Sequence, residues 1–314
     1  APSISAFPIM TKVVIKENLD NLLWHPEIKG ELICEKSSGS SGVQGQVFMS
    51  RKEQSIVQAA QTLFWEWAGY RIGTSILQTG MTLNRGTVKK TKDILFRTQY
   101  ESAFGLDENE VEQVLKGLVN KPRSFLGGYA SSLYVYAQVA EKNKIDSIRF
   151  DGVISWGDKM FSHYRSLIEQ QFNTRVFDTY GTTEGFMIAG QKDLEYYYIL
   201  SPQVYLEIVD EKGREVPDGE MGYVVVTNLD AYEMPLIRYY LGDLAVKLPR
   251  SKYPATRSLN FPLLERIIGR DTDIARTPSG KSMIVHFFTG IFEHVPEINQ
   301  FRVIQNSLDA ITIE

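Results

Sequence analysis

Phe177-Asp178-Thr179-Tyr180-Gly181-Thr182-Thr183-Glu184-Gly185 is the stretch around which the rest of the chain is organised. Just before it, Arg175-Val176-Phe177 reads as a short buried strand, which places residues 180–185 on a turn where a strand delivers polar side chains to a crevice. Gly181 lets the backbone approach closely, Thr182 and Thr183 offer hydroxyl donors, Tyr180 a flat face and Glu184 a hard oxygen ligand suited to Mg²⁺. Together these are the groups a nucleotide and its metal require. A Gly-Thr surface turn after any strand has the same composition, so the flanking sequence decides.

On the N-terminal side the pattern is strand, helix, strand, helix. Residues 11–19 read as a short helix with Thr11 as N-cap. Residues 31–35 and 47–50 read as two strands enclosing Ser37-Ser38-Gly39-Ser40-Ser41-Gly42, a loop whose backbone N–H groups and hydroxyls suit phosphate oxygens. A flexible linker or an engineered Ser-Gly scar has the same composition, but a linker belongs between domains and a scar at a terminus. No lysine follows in the Walker position. Residues 50–67 carry Ile56, Val57, Ala60, Leu63, Phe64 and Trp67 at helical spacing, followed by a strand at 71–77 and a helix at 107–119. Residues 124–129 form a strand leaving through Gly127-Gly128-Tyr129 into a helix near Ser131, whose aromatic stripe reads as core. A strand at 152–155 ends in Trp156-Gly157-Asp158, and a helix spans 161–172. Strands alternating with helices in this way predict an α/β fold with parallel sheets covered on both faces and ligands at the strand C-terminal ends.

Beyond residue 196 the composition turns to β. Residues 196–200, 203–210 and 222–228 are strand-like, joined by the turns Glu211-Lys212-Gly213 and Pro217-Asp218-Gly219, and predict an antiparallel subdomain. Then come Ile237-Arg238-Tyr239-Tyr240-Leu241-Gly242-Asp243 and Gly269-Arg270-Asp271-Thr272-Asp273. Asp243 has the chemistry to accept both hydroxyls of a ribose and Arg270 to reach a phosphate or ribose oxygen; a hairpin turn and a surface ion pair are the plainer accounts. With 314 residues, 43% apolar and 11% aromatic, the chain can bury a large core and corresponds to about two domains. A formal net charge of −4 without a basic block argues against nucleic acid as a partner. One cysteine, Cys34, excludes an internal disulfide framework and any zinc site built from several cysteines, and makes a reducing, cytoplasmic location the expectation. No run approaches the roughly 18 apolar residues of a membrane span.

Four separate motifs stand in order: residues 37–42, 180–184, 237–243 and 269–273. In that order they resemble the successive signatures of the adenylate-forming enzyme superfamily, most nearly the phenylacetate–CoA ligase family with its CapK-like relatives. Phe7-Pro8-Ile9-Met10-Thr11-Lys12, Pro217-Asp218-Gly219-Glu220-Met221-Gly222 and Met234-Pro235-Leu236-Ile237-Arg238-Tyr239 support the resemblance, which covers nearly the whole chain.

The resemblance implies a large adenylation domain over residues 1–269, with stacked, mainly parallel sheets, helices and a small antiparallel β subdomain at about 196–269. Residues 270–314 are then the beginning of a small mobile α+β C-terminal domain. It implies ATP-dependent activation of a small carboxylic acid to an acyl-adenylate and transfer to coenzyme A, with Mg²⁺ required; a homodimer is compatible with it. Carried over residue by residue, Ser37, Ser38, Gly39, Ser40, Ser41 and Gly42 hold the β- and γ-phosphates and Tyr180 stacks on adenine beside Gly181 and Thr182. Thr183 touches the α-phosphate, Glu184 helps bind Mg²⁺, Asp243 takes the ribose hydroxyls and Arg270 acts near the hinge. The segment from Ser155 through Trp156 and Gly157 to Asp158 lines the adenine and acyl sites, and Gly128 and Tyr129 lie by the acid pocket. Ser40-Ser41 replaces the family's threonine pair, Leu241 stands where threonine is common, and Asp271-Thr272-Asp273 alters the hinge pattern. Family members also extend roughly a hundred residues before Phe7-Pro8 and continue past Glu314 into the part that carries the adenylation lysine. The 314 residues alone are accordingly expected to bind ATP but to form adenylate poorly. The other readings are an adenylate-forming transferase or amide ligase with a different acceptor, and a non-catalytic nucleotide-binding homologue in polysaccharide biosynthesis.

Overall fold

The computed structural model describes residues 3–36, 45–80, 86–103, 107–270, 274–278, 282–284 and 302–314. Helix α1 (Lys12–Glu17) begins where the Thr11 hydroxyl accepts the Val14 N–H at 3.4 Å. Strands β1 (Ile33–Lys36) and β2 (Gln46–Met49) pair antiparallel, so the expected strand pair around the Ser-Gly loop is present. Residues 37–42 themselves lie outside the described residues. Helix α2 (Arg51–Trp67) opens with a reciprocal cap, in which Ser50 Oγ accepts the Glu53 N–H at 3.3 Å and the Glu53 carboxylate accepts the Ser50 N–H at 2.6 Å. Strand β3 (Ile76–Gly80) starts later than the sequence suggests. Gly73 holds a φ of +91° and Ile72 is 65% exposed, so residues 71–75 form a turn ahead of the strand.

Helix α3 (Thr87–Leu95) and strand β4 (Thr98–Ser102) follow, then α4 (Glu108–Asn120), β5 (Phe125–Tyr129), α5 (Ala130–Lys142), β6 (Gly152–Trp156), α6 (Ser162–Phe172) and β7 (Val176–Gly181). After these come β8 (Met187–Gly190), β9 (Tyr197–Ile199), β10 (Val204–Val209), β11 (Met221–Asn228), β12 (Tyr239–Lys247) and β13 (Leu263–Arg270). β14 (Ile274–Arg276) pairs with β15 (Ser282–Ile284), and β16 (Val303–Ser307) with β17 (Ala310–Ile313), as separate hairpins.

The first thirteen strands, apart from β1 and β2, form one eleven-stranded sheet in the order β10-β11-β12-β13-β9-β8-β7-β6-β5-β3-β4. From β4 to β7 the pairing is parallel; from β7 to β10 it is antiparallel. The change falls inside β7, where Ser155 pairs with Asp178 in parallel and Gly190 pairs with Thr179 antiparallel. The antiparallel strands expected as a subdomain are thus continuous with the parallel ones. Leu77, Leu115, Leu126, Leu133, Tyr136 and Ala137 pack α4 and α5 on the parallel half, and the aromatic stripe of α5 is core, with Tyr136 only 1% exposed. A second core beneath the antiparallel half joins Ile15, Phe186, Ile188, Leu206, Val224 and Tyr239. Each such fully buried aliphatic side chain stabilises the fold by about 1.5–3 kcal/mol. Among the described residues no helix is long and apolar enough to cross a membrane.

Candidate active site

Tyr180 and Gly181, which the sequence places on the turn, are the last residues of β7, so the turn starts two residues later than predicted and is residues 182–185. It closes through Thr182 N–H donating to the Phe186 carbonyl at 2.9 Å and Gly185 N–H to the Thr182 carbonyl at 3.2 Å. A Cβ on Gly181 would lie 2.8 Å from the Phe186 carbonyl oxygen, so the tight turn admits only glycine there.

Two hydrogen-bonded clusters converge on this turn. In the first, the Tyr180 hydroxyl donates to Asp243 Oδ2 at 2.6 Å, and Arg270 Nε stands 3.1 Å from Asp243 Oδ1 while its Nη1 donates to the Leu241 carbonyl at 2.9 Å. Asp243 and Arg270 are register partners on β12 and β13, and Gly242, at φ +76°, bends β12 beside them. Burial, followed by the Asp243 charge, pushes the Tyr180 phenol well above its ordinary range, so it stays a donor. In the second cluster, the Tyr239 hydroxyl donates to Glu184 Oε1 at 3.0 Å and Lys12 Nζ stands 3.8 Å from the same oxygen. Burial and Glu184 likewise push the Tyr239 phenol upward. Among the described residues, Glu184 Oε2 meets only the Thr183 hydroxyl, at 3.4 Å.

Asp178, two residues before Tyr180 and so on the same face of β7, anchors the floor. It accepts the Ser155 hydroxyl on one oxygen and the Tyr197 hydroxyl on the other at 2.6 Å. Burial raises its carboxyl pKa against the lowering influence of those two hydrogen bonds. Arg165 gives its own hydrogen bonds to the Val176 carbonyl at 2.6 Å and to Gln191 Oε1 at 2.8 Å, tying α6 to the strand.

Asp158 accepts the backbone N–H groups of Ala130 at 2.5 Å and Ser131 at 3.1 Å, which makes it the cap of α5 across the β6–α6 connection. Tyr129 and Trp156 are register partners at the ends of β5 and β6. Each ring lies over a glycine of the neighbouring strand segment: a Cβ on Gly157 would meet the Tyr129 ring at 2.4 Å, and one on Gly127 the Trp156 ring at 2.9 Å. Trp156 also stacks on Trp65 with centroids 5.5 Å apart. At Gly128 a Cβ would fall 1.8 Å from Thr79 Oγ1, which is bonded to Ser132 Oγ at 2.6 Å. Residues 37–42 and 271–273 lie outside the described residues. Lys12, Tyr239 and Asp178 are the site residues that motif reading left without a role. Lys12 and Tyr239 sit inside stretches already singled out, and Asp178 inside the opening one.

The donor set fits a nucleotide with Mg²⁺. The Thr182 hydroxyl oxygen is buried without a hydrogen-bond partner, a group whose burial is unfavourable until something accepts from it or donates to it. Among the described residues no group of three or more His, Cys, Asp or Glu side chains is placed to hold a metal. A cation at Glu184 would take its other ligands from phosphate oxygens and water, which is the habit of Mg²⁺ rather than of zinc.

No family model matches the chain. It is 30% identical over 128 residues to the phenylacetate-coenzyme A ligase of Pseudomonas putida, an alignment covering 39% of this chain and 27% of that protein. The chain thus spans about a quarter of that relative. Among solved structures it superposes on 2-hydroxyisobutyryl-CoA ligase in the postadenylation state, in complex with R3-HIB-AMP, with a TM-score of 0.75 and 18% identity over 98% of this chain and 68% of that one. It also superposes on ATP-bound MatB from Rhodopseudomonas palustris, with a TM-score of 0.62 and 16% identity over 86% of this chain and 54% of that one. With the anthranilate CoA ligase AuaEII in complex with anthranoyl-AMP the values are 0.63 and 13% over 91% and 56%. The fold is therefore that of the adenylate-forming acyl-CoA ligases, and the resemblance read from the motifs is matched in sequence by a phenylacetate–CoA ligase.

Proposed function

We propose that this chain carries the ATP- and acid-binding site of an AMP-forming acid–CoA ligase, which activates a small carboxylic acid as its acyl-adenylate and passes the acyl group to coenzyme A. The observation that supports it most is the convergence of Tyr180–Asp243–Arg270 and Glu184–Tyr239–Lys12 on one turn at the end of β7. In this reading adenine lies against Tyr180, Asp243 accepts the ribose hydroxyls, and the Thr182 and Thr183 hydroxyls donate to phosphate. Residues 37–42, between β1 and β2, hold the β- and γ-phosphates. Gly128, Tyr129, Trp156 and Gly157 border the acid. Asp158 belongs here through the α5 N-terminus it caps.

The reaction places an anionic carboxylate next to a polyanion, so repulsion between reactants is the main barrier for the protein to lower. In the first step a carboxylate oxygen forms a bond to the α-phosphorus and the bond to the leaving pyrophosphate breaks. In the second, the thiol sulfur of coenzyme A bonds to the acyl carbon, AMP leaves, and the thiol proton goes to solvent. Glu184 is the residue that would hold Mg²⁺, which would supply charge neutralisation at the phosphates. Tyr180 and Tyr239, both held in the neutral donor form, fix Asp243 and Glu184 without adding charge. Arg270, 42% exposed at the end of β13, sits where residues 270–314 begin the proposed mobile domain, so domain motion would act directly on the Asp243 pair.

ATP–pyrophosphate exchange with a panel of aliphatic and aryl acids tests the proposal in the full-length protein. Acid-dependent exchange followed by thioester formation is expected. Exchange without thioester would assign a different acyl acceptor, and no exchange with any acid despite tight ATP binding would make the protein a nucleotide-binding homologue.

A further inference from the structure

Lys12 reaches Glu184 from the far end of the chain, and several unrelated contacts are needed to put it there. Met10 forms an isolated parallel bridge with Tyr239: Met10 N–H donates to the Arg238 carbonyl and Tyr240 N–H to the Met10 carbonyl, both at 2.9 Å. Arg238, 4% exposed and with a φ of +51°, grips the same segment by donating from Nη1 to the Phe7 carbonyl at 2.9 Å. Its other nitrogens are fixed by Glu207, at 3.1 Å, and by the Gly213 carbonyl, at 2.8 Å. Thr11 then caps α1 and Ile15, 1% exposed, plugs that helix into the core. Two residues past the bridge on one strand is Lys12; on the other strand, at the bridge itself, is Tyr239. The hydroxyl that donates to Glu184 Oε1 and the ammonium that stands beside it are thus set by one backbone contact.

The Lys12 side chain is only 13% exposed and Glu184 7%. A lysine held that deep beside a carboxylate whose second oxygen faces the Thr183 hydroxyl is placed to meet any anion drawn to Glu184 by a divalent cation. Surface ion pairs need no such scaffold, because long exposed side chains find each other unaided and contribute little. Resting on the nucleotide-site reading above, we infer that Lys12 is a polyphosphate-binding residue of this site, delivered by the N-terminal segment. Its positive charge stands 3.8 Å from Glu184 Oε1, and in this role it offsets the charge that accumulates when a metal–polyphosphate ligand is bound. An ammonium suits this role as a point charge with three rotatable donors, able to bond a phosphate oxygen while remaining near the carboxylate.

The test is calorimetric binding of a non-hydrolysable ATP analogue with Mg²⁺, and of adenosine, to the full chain and its Lys12→Ala, Lys12→Met and Lys12→Arg variants. Lys12→Met keeps most of the buried stem, so a folding defect of the alanine variant does not decide the result. The expected outcome is an analogue affinity about tenfold or more weaker in the alanine and methionine variants. Adenosine affinity should stay within about twofold, the arginine variant should recover most of the loss, and the weakened variants should respond less steeply to added salt. Equal analogue affinity in wild type and Lys12→Met, or an equal loss for analogue and adenosine, overturns the inference while leaving the nucleotide site standing. Wild-type protein that binds neither analogue nor adenosine overturns the nucleotide-site reading itself, and this inference with it.

Discussion

Asp178 and Asp243 are both buried, and each accepts a tyrosine hydroxyl at 2.6 Å, Asp178 from Tyr197 and Asp243 from Tyr180. Their surroundings differ in one respect. The second donor to Asp178 is the neutral Ser155 hydroxyl, and Arg165 nearby spends its hydrogen bonds elsewhere. The second partner of Asp243 is Arg270, whose side chain is 42% exposed. A carboxylate locked between neutral, immobile donors can only brace the fold. One paired with a partly exposed cation can exchange that partner for a ligand. Under the proposed function the same aspartate–tyrosine unit serves as scaffold under β7 and as recognition element at its end.

That contrast can be broken most sharply at Glu184. Glu184→Gln keeps the shape but removes the charge, and adenylation measured by pyrophosphate exchange should fall on the order of 10²-fold or more, with the melting temperature within about 2 °C of wild type. Exchange at the wild-type rate would reduce Glu184 to a polar turn residue. Asp178→Ala should act on stability instead. Two buried hydroxyls lose their acceptor, a loss of about 2–4 kcal/mol that thermal melting would read as a drop of roughly 5–15 °C.

The pH dependence of the same position has a definite sign. Because burial raises the Asp178 pKa, the native state binds that proton more tightly than the unfolded chain does, and its contribution to stability falls as pH rises above the ordinary aspartate range near ~3.9. Asp178→Asn should therefore gain on wild type in melting temperature between about pH 4 and pH 8; a constant difference would mean that the carboxyl is unperturbed.

Asp243→Asn should weaken ATP binding by about tenfold in calorimetry while melting close to wild type. If it instead destabilises as Asp178→Ala does, the two aspartates are scaffold alike. The smallest effect is expected at Asp158. Asp158→Ala should lose only a helix cap, about 1 kcal/mol or roughly 2–4 °C, with ATP affinity unchanged. A tenfold loss of affinity there would move Asp158 to the ligand side of the comparison.

Much of this was readable from residue order. The 3.6-residue spacing of α2, α4 and α5 and the strand–helix alternation from β5 to β7 follow local rules, and the structure has them within a residue or two except at the end of β7, which runs on to Gly181. Asp243 is legible as a candidate for the ribose hydroxyls, but the strand around it is not, because Gly242 interrupts the alternation of a strand that runs through it with a bend. α3 and β4 went unread since both are polar and short: Lys89, Lys90 and Lys92 dominate the helix, and no residue of β4 is fully buried. Lys12 and Tyr239 could not be joined to Glu184 from sequence at all. Their meeting depends on a backbone bridge between segments about 230 residues apart, and nothing in either segment's own pattern encodes it.

That bridge also has a consequence for how the protein is born. Met10 and Tyr239 are separated by about 230 residues of chain. At a synthesis rate of about 5–20 residues per second the first dozen residues emerge roughly 10–50 s before the strand that receives them exists. Ile15, destined for the core, spends that interval without its partners on β12, and the segment that carries Lys12 docks only after Tyr239 has been made. A newly made molecule can have its parallel sheet complete and the turn at residues 182–185 shaped while it still lacks one of the charges beside Glu184.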